Sequence, residues 1–279
     1  MKTRRQSLPP GWYPPDRKAT LDAINRMGKS IDTGKIPVAG GVIPHAGWEF
    51  SGKAALEVFL TAGTDIDTCV IIGGHLHPDD GILAAQEDEY ETPLGSVSAD
   101  LELLSILGKE LHIIPDIYQD NTVEIQLPMV KHCFPNARAL WLRASPSQDA
   151  VLLGKAIFSA SKKLMRRTIV FGSTDLTHYG SNYGFSPMGD GQKALDWVKK
   201  VNDKTVVDAI CRLDAMQAVE HALADMSACS AGGAAAAISF AREMGVHNGK
   251  LLTYYTSHDV YPMGDSFVGY AGIIFPLPV

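Results

Sequence analysis

Val38-Ala-Gly-Gly-Val-Ile-Pro-His45-Ala-Gly-Trp48 reads as a short apolar strand that runs into Pro-His and turns through Gly47. Two later stretches repeat the pattern. Val70-Ile-Ile-Gly-Gly-His75-Leu-His77 is an apolar strand delivered to histidines, and Ile169-Val-Phe-Gly-Ser-Thr-Asp175-Leu-Thr-His178 is another. Open α/β sheets carry their chemistry at the carboxyl ends of strands. Three strands that end in histidine therefore point to one shared site, with a metal ion as its expected occupant.

Working outward, strands and helices alternate. Expected strands lie near 37–43, 68–73, 112–114, 138–142, 167–172, 250–256 and 267–275. Expected helices lie near 18–27, 52–62, 99–109, 122–132, 148–164, 190–224 and 230–244, with irregular structure from 74 to 93. This alternation predicts a three-layer αβα fold with a mostly parallel or mixed central sheet, closed by an antiparallel edge pair from the last two strands. No linker-like composition divides the chain, so residues 1–279 are read as a single domain.

The composition restricts the partners. A chain of 279 residues that is 46% hydrophobic can bury a large core, and its net charge of −6 lacks the basic stripe a nucleic-acid surface needs. Lys2, Arg4 and Arg5 are followed by Gln-Ser-Leu-Pro-Pro rather than an apolar run, unlike a secretory signal. No apolar stretch has the length of a membrane span. The four cysteines, Cys69, Cys133, Cys211 and Cys229, form no close pair, which fits reduced thiols. A cytoplasmic protein acting on a small molecule is the expectation.

Each candidate residue has a plain and a chemical reading. His45 is either a satisfied turn histidine or a ligand approached closely between small residues. His75 and His77 share a face if the strand continues through them, and only one reaches the site if it stops at Gly74. His178 is a candidate general acid–base, with Asp175 to orient its ring. A Ser173-centred triad competes, but Gly172-Ser-Thr lacks the nucleophile elbow. Cys229, in Met226-Ser-Ala-Cys229-Ser-Ala-Gly-Gly-Ala, sits at an expected helix N-terminus, where a thiolate is favoured. It is either a metal ligand, a nucleophile with His178 as base, or small core filler. Asp120 or Thr122 caps a helix whose first turn holds Glu124.

Taken together and in order, Gly11-Trp-Tyr-Pro14, Pro44-His45-Ala-Gly-Trp48, Gly73-Gly-His-Leu-His77, Tyr90-Glu-Thr-Pro-Leu-Gly95, Val123-Glu-Ile-Gln-Leu-Pro128, Ser173-Thr-Asp-Leu-Thr-His178, Cys229 and Gly264-Asp-Ser-Phe-Val-Gly-Tyr-Ala271 resemble the Memo family. The likeness is closer to its prokaryotic branch, the AmmeMemoRadiSam system protein B. The resemblance implies a fold related to the class III, LigB-type extradiol dioxygenases. It also implies metal ligation by His45, by His75 or His77, and by Cys229 in place of a carboxylate, with His178 beside the metal. The implied cofactor is a divalent or redox metal ion, iron first, with copper and zinc as alternatives. The implied activity is that of a redox enzyme or dioxygenase homologue with unknown substrate. The alternative is a non-catalytic metal- or partner-binding protein working with a radical-SAM protein. Three positions depart from the family pattern: Gly-Gly-His-Leu-His at the second strand, Asp120-Asn121-Thr122 where Glu-His-Ser is usual, and Cys229-Ser-Ala where some members have Cys-Gly-Arg.

Overall fold

Four parallel strands form the centre of the computed structural model, which describes residues 1–31, 34–63 and 65–278. Their spatial order is Val38–Ile43, Thr168–Ser173, Thr68–Gly73 and Arg138–Ala144. All four are buried along nearly their whole length. That burial explains why they read as continuous apolar runs instead of alternating ones. Alternation survives in which core each side chain enters. Val70 and Ile72 join the core that also holds Leu153, Ile157 and Ala235, whereas Cys69 and Ile71 join the core that holds Leu56 and Phe59. The Gln148–Lys163 and Ala231–Glu243 helices thus cover one face, and the Gly52–Thr61 helix covers the other. The expected αβα layering is present.

The flanks are antiparallel, so the sheet is mixed. The ten-residue strand Phe267–Pro276 pairs antiparallel with Val38–Ile43, with Lys250–Thr256 and with the short His178–Tyr179 segment. The last two strands do pair, as expected, but Phe267–Pro276 is interior and only its partner Lys250–Thr256 lies outward. At the other flank, Ile82–Ala84 runs antiparallel to Arg138–Ala144 and carries Ile113–Pro115 beyond it.

Three local expectations need revision. The stretch after residue 74 is not wholly irregular: Ile82–Ala84 joins the main sheet, while Glu89–Tyr90 pairs with Thr3–Arg4 on one side and Val97–Ser98 on the other in a second, three-stranded sheet. The helix expected over 122–132 is two pieces, Asn121–Glu124 and Leu127–Cys133, with Pro128 in the first turn of the second. The helical region 190–224 is interrupted, with a π-helical turn at Val198–Asn202 and a break before Ala215 at which Leu213 takes φ +55°. Among the described residues, no helix is long and apolar enough to cross a membrane.

Small residues let the Ala231–Glu243 helix lie directly on the strands. A Cβ on Gly233 would sit 2.1 Å from the Ile72 carbonyl oxygen, and one on Gly172 would sit 2.5 Å from the Gly233 carbonyl oxygen. Only hydrogen at these positions permits such an approach. The N-terminus of the helix, and Cys229 just before it, is therefore seated at the carboxyl ends of the parallel strands.

Candidate metal centre

His45, His75 and Asp175 each stand two residues beyond the end of a parallel strand, after Ile43, Gly73 and Ser173. Ile43 is level with Ser173 in the register, and Ile72 with Gly172. The two histidine-bearing strands flank the one that bears Asp175. Two strand spacings are about 10 Å, a gap that two imidazoles reaching toward each other can bridge. They do so: His45 Nε2 and His75 Nε2 are 3.2 Å apart, with the rings edge-on at 88°.

Cys229 completes the cluster. Its backbone N–H donates to the Asp175 carbonyl (3.2 Å), and the next N–H, of Ser230, donates to Thr174 Oγ1 (3.0 Å). This anchorage places Sγ 3.2 Å from His45 Nε2. The three ligand atoms lie within 4.8 Å of one another. Two nitrogens on a tetrahedral zinc-sized ion stand about 3.3 Å apart, and a nitrogen and a sulfur about 3.6 Å. The observed spacings fit one ion shared by two imidazoles and a thiolate.

The surroundings hold these groups in place. Asp175 Oδ1 accepts the His45 backbone N–H at 2.6 Å, and the Asn121 side-chain amide donates to the His45 carbonyl at 3.1 Å. Ser173 Oγ lies 3.3 Å from His45 Nδ1. Asp120 Oδ2 lies 3.5 Å from His75 Nδ1, and Arg143 holds that same carboxylate at 3.1 Å. A carboxylate behind a ligating imidazole fixes its ring and raises its basicity. Asp120 caps its helix as expected, accepting from the Thr122 N–H. Its second duty toward His75 had no local signal, since the two residues meet only in the fold.

In the metal-free cluster the charges favour a thiolate beside a protonated imidazole, whose proton a binding metal would displace. Burial raises the Cys229 thiol, but the His45 imidazole beside it and its hydrogen bonds to His45 and His75 win, bringing it down to about 6. Burial lowers His75, yet Asp120 and Cys229 outweigh it and push its pKa up to about 10. The partner Asp120 is held well below the ordinary carboxylate range despite burial, by His75, Arg143 and Thr122.

His77 stays outside the cluster. The strand ends at Gly73, and Gly74 turns the chain at φ +117°, a conformation suited to glycine. The His77 side chain is 73% exposed and lies 3.5 Å from Asp79. Asp175 does not orient His178 as expected, because its carboxylate serves the His45 backbone while His178 Nδ1 meets the Leu176 carbonyl at 3.1 Å. Burial lowers the pKa of His178, with Asp175 partly opposing. Ser173 is fully buried, and its hydroxyl donates to the Thr122 carbonyl at 2.6 Å, which removes the triad reading.

The cluster opens into a cavity of about 470 Å³ lined by His45, His75, Asn121, Asp175 and His178, with Trp12, Phe50, Tyr183 and Tyr270 as aromatic walls. Trp12 comes from an N-terminal segment tied down by Glu124, whose carboxylate accepts from Ser7 N–H, Leu8 N–H and the Tyr13 hydroxyl, each at 2.9 Å. Thr177, between Asp175 and His178, is fixed from behind by buried Asp203, which accepts its N–H at 3.0 Å and the Tyr254 hydroxyl at 2.8 Å.

Residues 4–274 match the family described as Memo-like protein. A MEMO1 family protein of Thermococcus onnurineus is 32% identical, over 85% of this chain and 87% of that one. One from Pyrococcus abyssi is also 32% identical, over 85% and 86%, and one from Methanopyrus kandleri is 31% identical, over 87% and 84%. The crystal structure of an uncharacterized protein from Escherichia coli K12 superposes with a TM-score of 0.48 at 10% identity, covering 79% of this chain and 91% of that one. The ordered motifs, the match along nearly the whole chain and these archaeal relatives have one conclusion: this chain belongs to the Memo family.

Proposed function

We propose that the chain is a metal-dependent redox protein acting on a small molecule, with its metal held by His45, His75 and Cys229. The observation that carries this reading is the convergence of those three ligand atoms within 4.8 Å, each fixed by a neighbour. Iron is the first candidate, with copper and zinc as alternatives, because all three accept imidazole together with thiolate. Iron or copper bound there would supply a redox-active Lewis acid with room left for a substrate.

The residues of the chain have separate tasks. Cys229 presents a thiolate at neutral pH, and Asp120 holds the His75 ring from behind. His178, anchored through Nδ1, keeps Nε2 for moving a proton in the cavity. Trp12, Phe50 and Tyr270 shape the space and exclude water. A thiolate is softer and more easily oxidised than the carboxylate of extradiol dioxygenases, so catechol cleavage is not the reaction favoured.

Metal analysis of protein purified without chelator or nickel affinity, beside His45→Ala and Cys229→Ser, tests the centre. About one ion per chain in the parent and little in either variant is expected. Equal metal in all three removes the site. Oxygen uptake by the iron-loaded protein over a panel of phenolic substrates tests the redox activity.

Asn121 favours a second reading. It stands where the family resemblance implies a histidine, and its amide is committed to the His45 backbone. A protein that binds metal without turnover, and serves a radical-SAM protein in an assembly or modification pathway as the system protein B likeness suggests, is consistent with that loss. Recovery of such a partner in pull-downs from cells carrying both proteins, with no turnover by the loaded protein, would decide for it.

A further inference from the structure

Asp203 is a fully buried carboxylate with no ion-pair partner among the described residues. A charge held this way is costly, so its contacts need a reason. The Thr177 N–H (3.0 Å) and hydroxyl both donate to Oδ1, and the Tyr254 hydroxyl donates to Oδ2 at 2.8 Å. The fold makes room for the group. A Cβ on Gly269 would lie 1.9 Å from Asp203 Oδ2, so only hydrogen there lets the carboxylate approach the strand. The preceding residue, Asn202, closes the π-helical turn and is buried as well. Its amide donates to the same Thr177 hydroxyl at 2.9 Å and to the Asp225 carbonyl at 3.0 Å. Turns of this kind are rare and collect at functional sites. Here the widened turn brings two consecutive side chains onto one threonine.

The link to His178 runs through one peptide unit. Thr177 N–H and Leu176 C=O belong to the same planar group and point in opposite directions. Asp203 holds the N–H end, and His178 Nδ1 meets the C=O end at 3.1 Å. A carbonyl oxygen only accepts, so Nδ1 carries the proton and Nε2 the lone pair. A carboxylate on the N–H polarises the peptide and makes its oxygen a better acceptor. Asp203 thus stands to His178 as the orienting carboxylate stands to the histidine of a Ser-His-Asp triad, with a peptide group interposed. Burial pushes the Asp203 pKa up to about 6, which leaves it ionised at neutral pH.

We infer that Asp203 is the positioning residue of His178: acting through the Leu176–Thr177 peptide, it fixes the ring as the Nδ1–H tautomer and keeps Nε2 free toward the cavity. The duty expected of Asp175 falls to Asp203. The inference rests on the reading of His178 as the group that moves a proton.

Long-range proton–nitrogen correlation spectra of the histidine-labelled full chain at about pH 8 test it. Equimolar zinc keeps the sample diamagnetic, and His178→Gln identifies the signals. At that pH the ring is neutral, since burial lowers its pKa, and free histidine prefers the Nε2–H form. The parent should show Nδ1–H. Asp203→Asn keeps an acceptor for the Thr177 donors but not the charge, and should lower the ratio of Nδ1–H to Nε2–H by about two- to tenfold. Asp203→Ala should lower it further, and the isosteric Asp203→Asn carries the test if that variant fails to fold. Thr177→Val loosens the same buried cluster but spares the N–H contact, so it should leave the ratio unchanged. An Nε2–H ring in the parent would overturn the inference together with the role given to His178. An unchanged ratio in the Asp203 variants, or an equal fall in Thr177→Val, would overturn the inference and leave that role standing.

Discussion

Replacing Gly233 by alanine tests how the Cys229 sulfur is brought to the histidines. The added Cβ would lie 2.1 Å from the Ile72 carbonyl oxygen and 3.0 Å from its carbon. Both atoms belong to the backbone of a central strand, so no side chain can swing aside. Restoring an ordinary contact of roughly 3.2 Å requires the helix N-terminus to lift by about 1 Å. Overpacking of this kind costs about 1–3 kcal/mol. For a domain of this size that is a fall in thermal midpoint of roughly 2–12 °C. The same lift carries Cys229 away from His45 Nε2, which it now meets at 3.2 Å. The imidazole holds the thiol pKa down to about 6 against burial. The parent thiol should therefore alkylate with a midpoint near pH 6, and the variant with a midpoint shifted upward by about a unit or more. Iodoacetamide labelling of metal-free protein across pH 5–9, read at the Cys229 peptide by mass spectrometry, separates this thiol from Cys211. An unchanged thermal midpoint together with an unchanged labelling midpoint would refute the close seating of helix on strand.

Two further predictions concern the supports of the site. Burial pushes the Asp203 pKa up to about 6 despite the donors Thr177 and Tyr254. An acid raised in the fold contributes stability below its unfolded pKa and loses it as pH rises through the folded value. Urea unfolding of the parent and Asp203→Asn should therefore show the parent losing about 2 kcal/mol relative to the variant between pH 4 and pH 7, and a constant difference would contradict this. Glu124→Ala leaves the Ser7 and Leu8 N–H groups and the Tyr13 hydroxyl without their acceptor. It should cost about 2–4 kcal/mol and expose the first fifteen residues to limited proteolysis, seen as early N-terminal clipping by mass spectrometry.

The parts of the fold legible in the sequence are those set by local pattern. Buried parallel strands announce themselves as apolar runs, and the residues two positions past their ends were found as His45, His75 and Asp175. Cys229 was legible from its residues only as a cysteine at an expected helix N-terminus, open between thiolate and core filler, and the small residues after it now have a packing reason in Gly233. The choice between His75 and His77 was not legible, because it depends on Gly74 turning the chain at a positive φ. Thr3–Arg4 pairs with Glu89–Tyr90, a contact that no local periodicity encodes. The Asp120 contact to His75 and the Glu124 grip on the N-terminal segment are likewise long-range. Around the His45, His75 and Cys229 cluster, the sequence named residues well and assigned duties less well: Asp175 serves the His45 backbone and not the His178 ring.

The placement of Phe267–Pro276 also bears on biosynthesis. This strand lies more than 200 residues downstream of Val38–Ile43, whose flank it covers. Until Phe267–Pro276 has been made, the strand that presents His45 keeps an unpaired edge able to recruit a neighbouring nascent chain. Assembly of the ligand set thus waits for that strand, and deletion of Phe267–Pro276, which spares every ligand, should yield aggregates and not a weakened protein.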